Sequence, residues 1–156
     1  MPKPLNAKTK TLALTALFTA LIIVGGFIRF PIGTVPITLQ TVCVLFAGSY
    51  AGKKVGAFSI LIYLLIGLIG IPVFSAGGGI FYVMAMPIAT IVAGALPKKQ
   101  VNERAYGVRI ALNVVAVIII HVIGVTYMYC ISNFLHDTPM SIWTAIYTGS
   151  LIFIPF

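Results

Sequence analysis

The sequence predicts an all-α integral membrane protein of six transmembrane helices. Three observations carry this reading: 60% of its 156 residues are hydrophobic, only 8% are charged, and the mean hydropathy is +1.13. Soluble domains carry about 25% charged residues, and a chain with so few cannot cover a surface that faces water. At roughly 20 apolar residues per span, the chain holds at most about six helices and no additional aqueous domain. Residues 1–156 are therefore read as a single membrane-embedded domain.

The first apolar run, Thr11–Ile28, follows Lys3, Lys8 and Lys10. It is too long for a signal-peptide core and lacks a convincing cleavage site, so it is read as a retained first span. It ends in Arg29-Phe-Pro-Ile-Gly-Thr-Val-Pro, where Pro31 and Pro36 each remove a backbone donor and turn the chain into a structured loop. The second run, Ile37–Ala51, is marginal in length and is closed by Lys53-Lys54. The third, Val55–Phe74, contains Gly70-Ile-Pro72 at its end and leads into Ser75-Ala-Gly-Gly-Gly79, where consecutive glycines release the backbone from side-chain restriction. The fourth, Ile80–Leu96, has Pro87 in its middle and precedes the polar connection Pro97–Arg104. The fifth, Val108–Ile131, is the longest and turns over Ser132–Pro139, and the sixth, Ser141–Phe156, has no closing polar anchor.

If each run crosses once, Lys3, Lys8, Lys10, Lys53, Lys54, Lys98, Lys99, Arg104 and Arg109 fall on one side, and Arg29 alone lies opposite. Positive-inside bias then puts both termini in the cytoplasm of a cell whose plasma membrane the chain crosses. The dispersed charges make no stripe for nucleic acid. Glu103 and Asp137 are the only acids, so no intramembrane carboxylate pair exists for proton relay, metal binding or acid/base catalysis. Nucleotide-binding, nucleophile-elbow and zinc-protease motifs are absent. The chain reads as no enzyme, with neither metal nor cofactor, and any energy must come from another subunit. Cys43 and Cys130 read as buried, inert thiols. His121, deep in the fifth run, is either a functional group or a hydrogen-bond partner for a neighbouring helix, whereas Asn113 reads as glue between helices.

Small residues recur at four-residue spacing in Ala16/Ala20, Gly48/Gly52, Gly52/Gly56 and Ala89/Ala93. This spacing puts them on one helix face, where another helix can come close. Packing within the chain is the ordinary reading, and a partner surface the sharper one. Proline-fixed backbone beside Thr38 and Gln40, with a glycine run before Tyr82, puts peptide donors, an amide and an aromatic ring on one side of the membrane. Such parts can enclose a small polar ligand.

Four segments carry a family resemblance: Ala13–Leu21, Arg29-Phe-Pro-Ile-Gly-Thr-Val-Pro-Ile-Thr-Leu-Gln-Thr41, Gly67-Leu-Ile-Gly-Ile-Pro-Val-Phe74 and Ser75-Ala-Gly-Gly-Gly79. Through them the sequence resembles the BioY family, the biotin-specific substrate-binding (S) components of energy-coupling factor (ECF) transporters, with the match strongest over residues 11–82. The resemblance implies a six-helix S-component-like bundle that binds biotin near the outer face under a Pro-rich lid. It also implies partnership with a transmembrane coupling subunit and two ATPase subunits. Thr38, Gln40, Gly78, Gly79 and Tyr82 become the implied ligand set, with Arg29 at the outer end of the first span as the remaining basic candidate for the carboxylate, and Ala16 and Ala20 the implied contact with the coupling subunit.

Two departures from the family pattern shape the expectation. Tyr82-Val-Met-Ala-Met86 passes directly to Pro87, without the family's Pro-Thr-x-Gly-Tyr stretch, which implies a shortened fourth helix. The sequence reaches Phe153-Ile-Pro-Phe156 where the family continues Phe-Ile-Pro-Gly-Asp-x-x-Lys, which implies a truncated sixth helix and a site without that acid and base. An S component for another vitamin, or a truncated remnant that binds nothing, is the alternative.

Overall fold

The computed structural model of the protein describes residues 6–30, 37–74, 83–96, 103–134 and 139–150. Helix α1 spans Ala7–Phe27 and leads into two short strands, β1 (Arg29–Phe30) and β2 (Ile37–Thr38), which pair antiparallel. Helix α2 (Gln40–Phe46) runs straight into a π-helical turn over Ala47–Ala51. Then come α3 (Lys53–Leu68), α4 (Met86–Ala93), α5 (Glu103–Phe134) and α6 (Ile142–Gly149).

The element boundaries follow local chemistry. Ile37 and Thr38, expected inside the second helix, belong instead to a strand, where they pair with Phe30 and Arg29. Gly52 breaks α2 from α3 with a φ of 85°, a conformation that glycine adopts without side-chain penalty. Pro87 stands in the first turn of α4, where a missing N–H costs no helical bond. The fourth helix is as short as expected, at eight residues. The end of the sixth run, 151–156, lies outside the described residues. Helix α5, by contrast, has 32 residues, about 48 Å at 1.5 Å per residue, more than a hydrocarbon core of about 30 Å requires.

The packing has the polarity of a protein dissolved in lipid. Leu12, Leu17, Leu68, Ile69, Phe134 and Trp143 lie largely exposed, while Thr15, Thr19, Gln40, Ser59 and Thr90 are buried. Hydrocarbon outside removes any reason to hide apolar side chains, and the polar ones turn inward to find partners. Ser59 Oγ donates to the Thr15 carbonyl at 3.1 Å, and Thr19 Oγ1 donates to the Ser59 carbonyl at 3.1 Å, stitching α1 to α3. Ser49 Oγ donates to Asn113 Oδ1 at 3.0 Å, and Arg109 Nη1 to the Ser49 carbonyl at 3.1 Å, tying the π-helical turn to α5. Asn113 is thus the interhelical glue that the sequence suggested.

The glycine pattern needs one correction. Gly48, Gly52 and Gly56 do not share a helix face, because Gly52 sits in the turn between two helices. Gly48 and Gly56 instead face each other across that turn: a Cβ on Gly56 would lie 3.1 Å from Gly48 N and would collide with the Thr90 methyl. Gly48 is pressed in turn against the Thr90 carbonyl and Ala93 of α4, and Gly94 against the backbone of Lys53 and Gly48. With Ala89 and Ala93 fully buried, these residues form one internal seam where α2, α3 and α4 meet. Of the thiols, Cys43 is buried as expected, but Cys130 is exposed on the outer side of α5.

Candidate ligand site at the hairpin end of the bundle

The contacts sort the bundle into two ends. The Ser59 stitch sets α1 and α3 side by side, the Gly94 contact brings the end of α4 to the start of α3, and Arg109 joins the start of α5 to the π-helical turn. Lys8, Lys10, Lys53, Lys54 and Arg109 therefore gather at one end. Arg29 lies at the other, with the hairpin and the start of α2.

At this second end Arg29 and Thr38 face each other across the two-strand ladder, and the Leu39 N–H donates to the Ile28 carbonyl at 3.1 Å. The hairpin is thereby clamped to the end of α1, and it delivers Gln40 to the first position of α2. Gln40 is 1% exposed. Its burial depends on Gly25 and Gly26: a Cβ on Gly25 would stand 2.8 Å from Cys43 Sγ and 3.2 Å from Gln40 N, and one on Gly26 3.3 Å from Gln40 Oε1. Glycine at both positions lets the end of α1 lie against the start of α2. Tyr63, fully buried in α3, has its hydroxyl beside the Gln40 side chain and 3.4 Å from the Val73 carbonyl. The Phe74 ring packs edge-on to Tyr63 at 5.5 Å, over Gly67.

Among the described residues, one buried side-chain polar atom makes no well-formed hydrogen bond, and it is Gln40 Nε2, although the Tyr63 hydroxyl lies beside that side chain. An amide hydrogen kept from water without an acceptor costs about 1–3 kcal/mol. Buried polar groups are nearly always paired in stable structures, so this amide is the candidate point for an added acceptor.

The sequence model of the BioY family matches residues 1–156. This chain is a member of the BioY family. It is 38% identical to a probable biotin transporter BioY of Lysinibacillus sphaericus over 80% of this chain and 67% of that one. It is 32% identical to the biotin transporter BioY of Rhizobium etli over 94% and 84% of the two chains. Among solved structures, the S component for biotin from an ECF-type ABC transporter superposes with a TM-score of 0.78 at 30% identity, covering 99% of this chain and 86% of the other. The all-α membrane fold and the BioY resemblance expected from the sequence both stand.

For this BioY member, the structure brings together Arg29, Thr38 and Gln40 of the expected ligand set, while Gly78, Gly79 and Tyr82 lie outside the described residues. Ala16 and Ala20 are exposed on α1. Gly25, Gly26, Tyr63 and the Val73 carbonyl were not anticipated. The paired glycines at the end of the first apolar run were a visible signal, since two glycines in a helix cost stability without a packing reason. Tyr63 carried no such mark. His121 Nδ1 stands 2.9 Å from the Val117 carbonyl one turn earlier, so its own helix offers that nitrogen an acceptor.

Proposed function

We propose that this protein is a membrane-embedded S component that captures biotin and hands it to a transport complex. The observation that carries the reading is the buried Gln40 amide, whose Nε2 makes no well-formed hydrogen bond among the described residues. Biotin is apolar apart from two groups, a ureido ring and a carboxylate. The ureido oxygen is an acceptor suited to Gln40 Nε2, in a setting where Tyr63 and the hairpin exclude water. Thr38 and Arg29, close by in the hairpin, offer a hydroxyl and a positive charge toward the remaining polar groups. Gly78, Gly79 and Tyr82 complete the proposed ligand set on their sequence alone.

The chain acts in this reading as one unit, with both termini and the basic end in the cytoplasm and the hairpin end outside. Ala16 and Ala20 form the contact with the coupling subunit, which works with two ATPase subunits. Their exposure on the side of α1 away from its buried contacts at Thr15, Phe18 and Thr19 supports this role. Equilibrium binding of radiolabelled biotin to the detergent-purified chain tests the function. Saturable binding that weakens in Gln40→Met is expected, and absence of saturable binding by the parent chain would overturn the reading.

A further inference from the structure

Two apolar grooves open toward lipid at the basic end. One, of about 460 Å³, runs between α3 and α4 and is lined by Lys53, Lys54, Ala57, Phe58, Leu61 and Ile91. The other, of about 470 Å³, runs between α1 and α3, with Lys8 and Thr11 toward its mouth and Leu12, Phe58 and Ile62 along its wall. Phe58 belongs to both, so its half-exposed ring is the ridge that separates them. Lys54 lies one helical turn before Phe58 on the same face of α3, and Lys8 heads the groove on the other flank. Lysines therefore stand above the ridge on both sides.

These charges have little within the chain to neutralise them. Ten basic residues face two acidic ones, a net charge of +8. Lys8, Lys53 and Lys54 are all exposed. Below them the walls are almost wholly hydrocarbon. Packing fixes the shape of this surface: the Ser59 stitch holds α1 to α3, and the close contact of Gly94 with Lys53 holds α4 to the start of α3. A cationic rim over two shallow apolar grooves, one on each side of Phe58, has the charge and layout of an anion carrying two hydrocarbon chains.

We infer that the basic end of the bundle is a site for an anionic diacyl phospholipid, with its phosphate among Lys8, Lys53 and Lys54 and one acyl chain on each side of Phe58. Basic clefts between membrane helices favour anionic headgroups, each nearby lysine strengthening the attraction about fivefold at ordinary ionic strength. The grooves add the chain selectivity that charge alone cannot supply. The site is separate from the hairpin end and does not depend on the identity of the transported ligand; Leu12 shares an α1 face with Ala16, so the lipid holds this face only while the coupling subunit is off it.

Native mass spectrometry of the detergent-purified chain tests this, with dioleoyl phosphatidylglycerol compared against dioleoyl phosphatidylcholine and single-chain lysophosphatidylglycerol. The diacyl anionic lipid should be retained well above both. Its retention should fall roughly fivefold in Lys8→Gln and more in Lys53→Gln/Lys54→Gln, with helical circular dichroism unchanged. Equal retention of phosphatidylglycerol and phosphatidylcholine would overturn the inference, as would equal binding of the one-chain and two-chain lipids. If the lysine variants keep full lipid retention but lose the coupling subunit in co-purification, the surface is a protein interface and the lipid site is wrong. Should the double variant fail to fold, Lys8→Gln and Phe58→Ala supply the same comparison.

Discussion

Two parts of the molecule carry small residues at the same spacing and put them to opposite use. Around Gly48, Gly56, Gly94, Ala89 and Ala93, the small side chains are buried and three helices approach to backbone contact. On α1, Ala16 and Ala20 are exposed, while Thr15, Phe18 and Thr19 on the other face take the internal contacts. A small-residue spacing thus identifies a surface fit for close approach but says nothing about what approaches. In a lipid environment the approach is driven by packing and hydrogen bonds, because burial of apolar surface against hydrocarbon gains little.

The comparison breaks most plainly at Gly48. Gly48→Leu would push a side chain into the Thr90 carbonyl and Ala93 Cβ, and overpacking of this kind costs about 3 kcal/mol. Thermal unfolding in detergent should show a large loss of stability, and a variant as stable as the parent would mean that the seam yields. Ala16→Trp should behave in the opposite way. Stability should stay within about 0.5 kcal/mol of the parent, since an exposed position has room, while co-purification with the coupling subunit is lost. If assembly survives, α1 faces lipid there and not a protein.

Gln40→Met separates the ligand end from both small-residue regions. Losing a neutral hydrogen bond should weaken biotin binding about two- to tenfold, with coupling-subunit assembly unchanged. The empty protein should be as stable as the parent or more so, because a buried donor without a well-formed hydrogen bond is removed. A fall in stability would show that the Gln40 amide is satisfied within the chain. The smallest effect belongs to Ser49→Ala, which strips Asn113 Oδ1 of its donor and should cost about 1 kcal/mol in thermal unfolding. Ser49→Ala with Asn113→Ala should cost less than the sum of the single variants if the two side chains act through each other.

Much of the architecture was legible in the residues. The apolar runs lie where α1, α3 and α5 lie, and Lys53-Lys54 marks the start of α3, whereas Pro87, read in the middle of the fourth run, stands in the first turn of α4. The hairpin showed itself only as a proline-rich structured loop, because two-residue strands have no periodicity to read. Thr38 and Gln40 stood out by residue type beside fixed backbone, but the burial of Gln40 could not be read from them. It arises from Gly25, Gly26, Tyr63 and Val73, which are distant from Gln40 in sequence; the glycine pair is a visible signal, but what packs against it is not.

By itself the sequence determined the solvent, the number of apolar runs, the family and the segregation of lysines to one end. Composition and charge position set those properties, and they require no knowledge of which helix touches which. Only the tertiary structure decided that Ala16 and Ala20 face outward while Gly48 and Ala93 face inward, and that the Gln40 amide is enclosed. The physical reason lies in the lipid. In water, an apolar stripe reveals the inner face of a helix, but here the surroundings are as apolar as the core. The inward face is then chosen by shape and by a few hydrogen bonds, such as those of Ser59 and Asn113, whose partners become apparent only once the helices are packed.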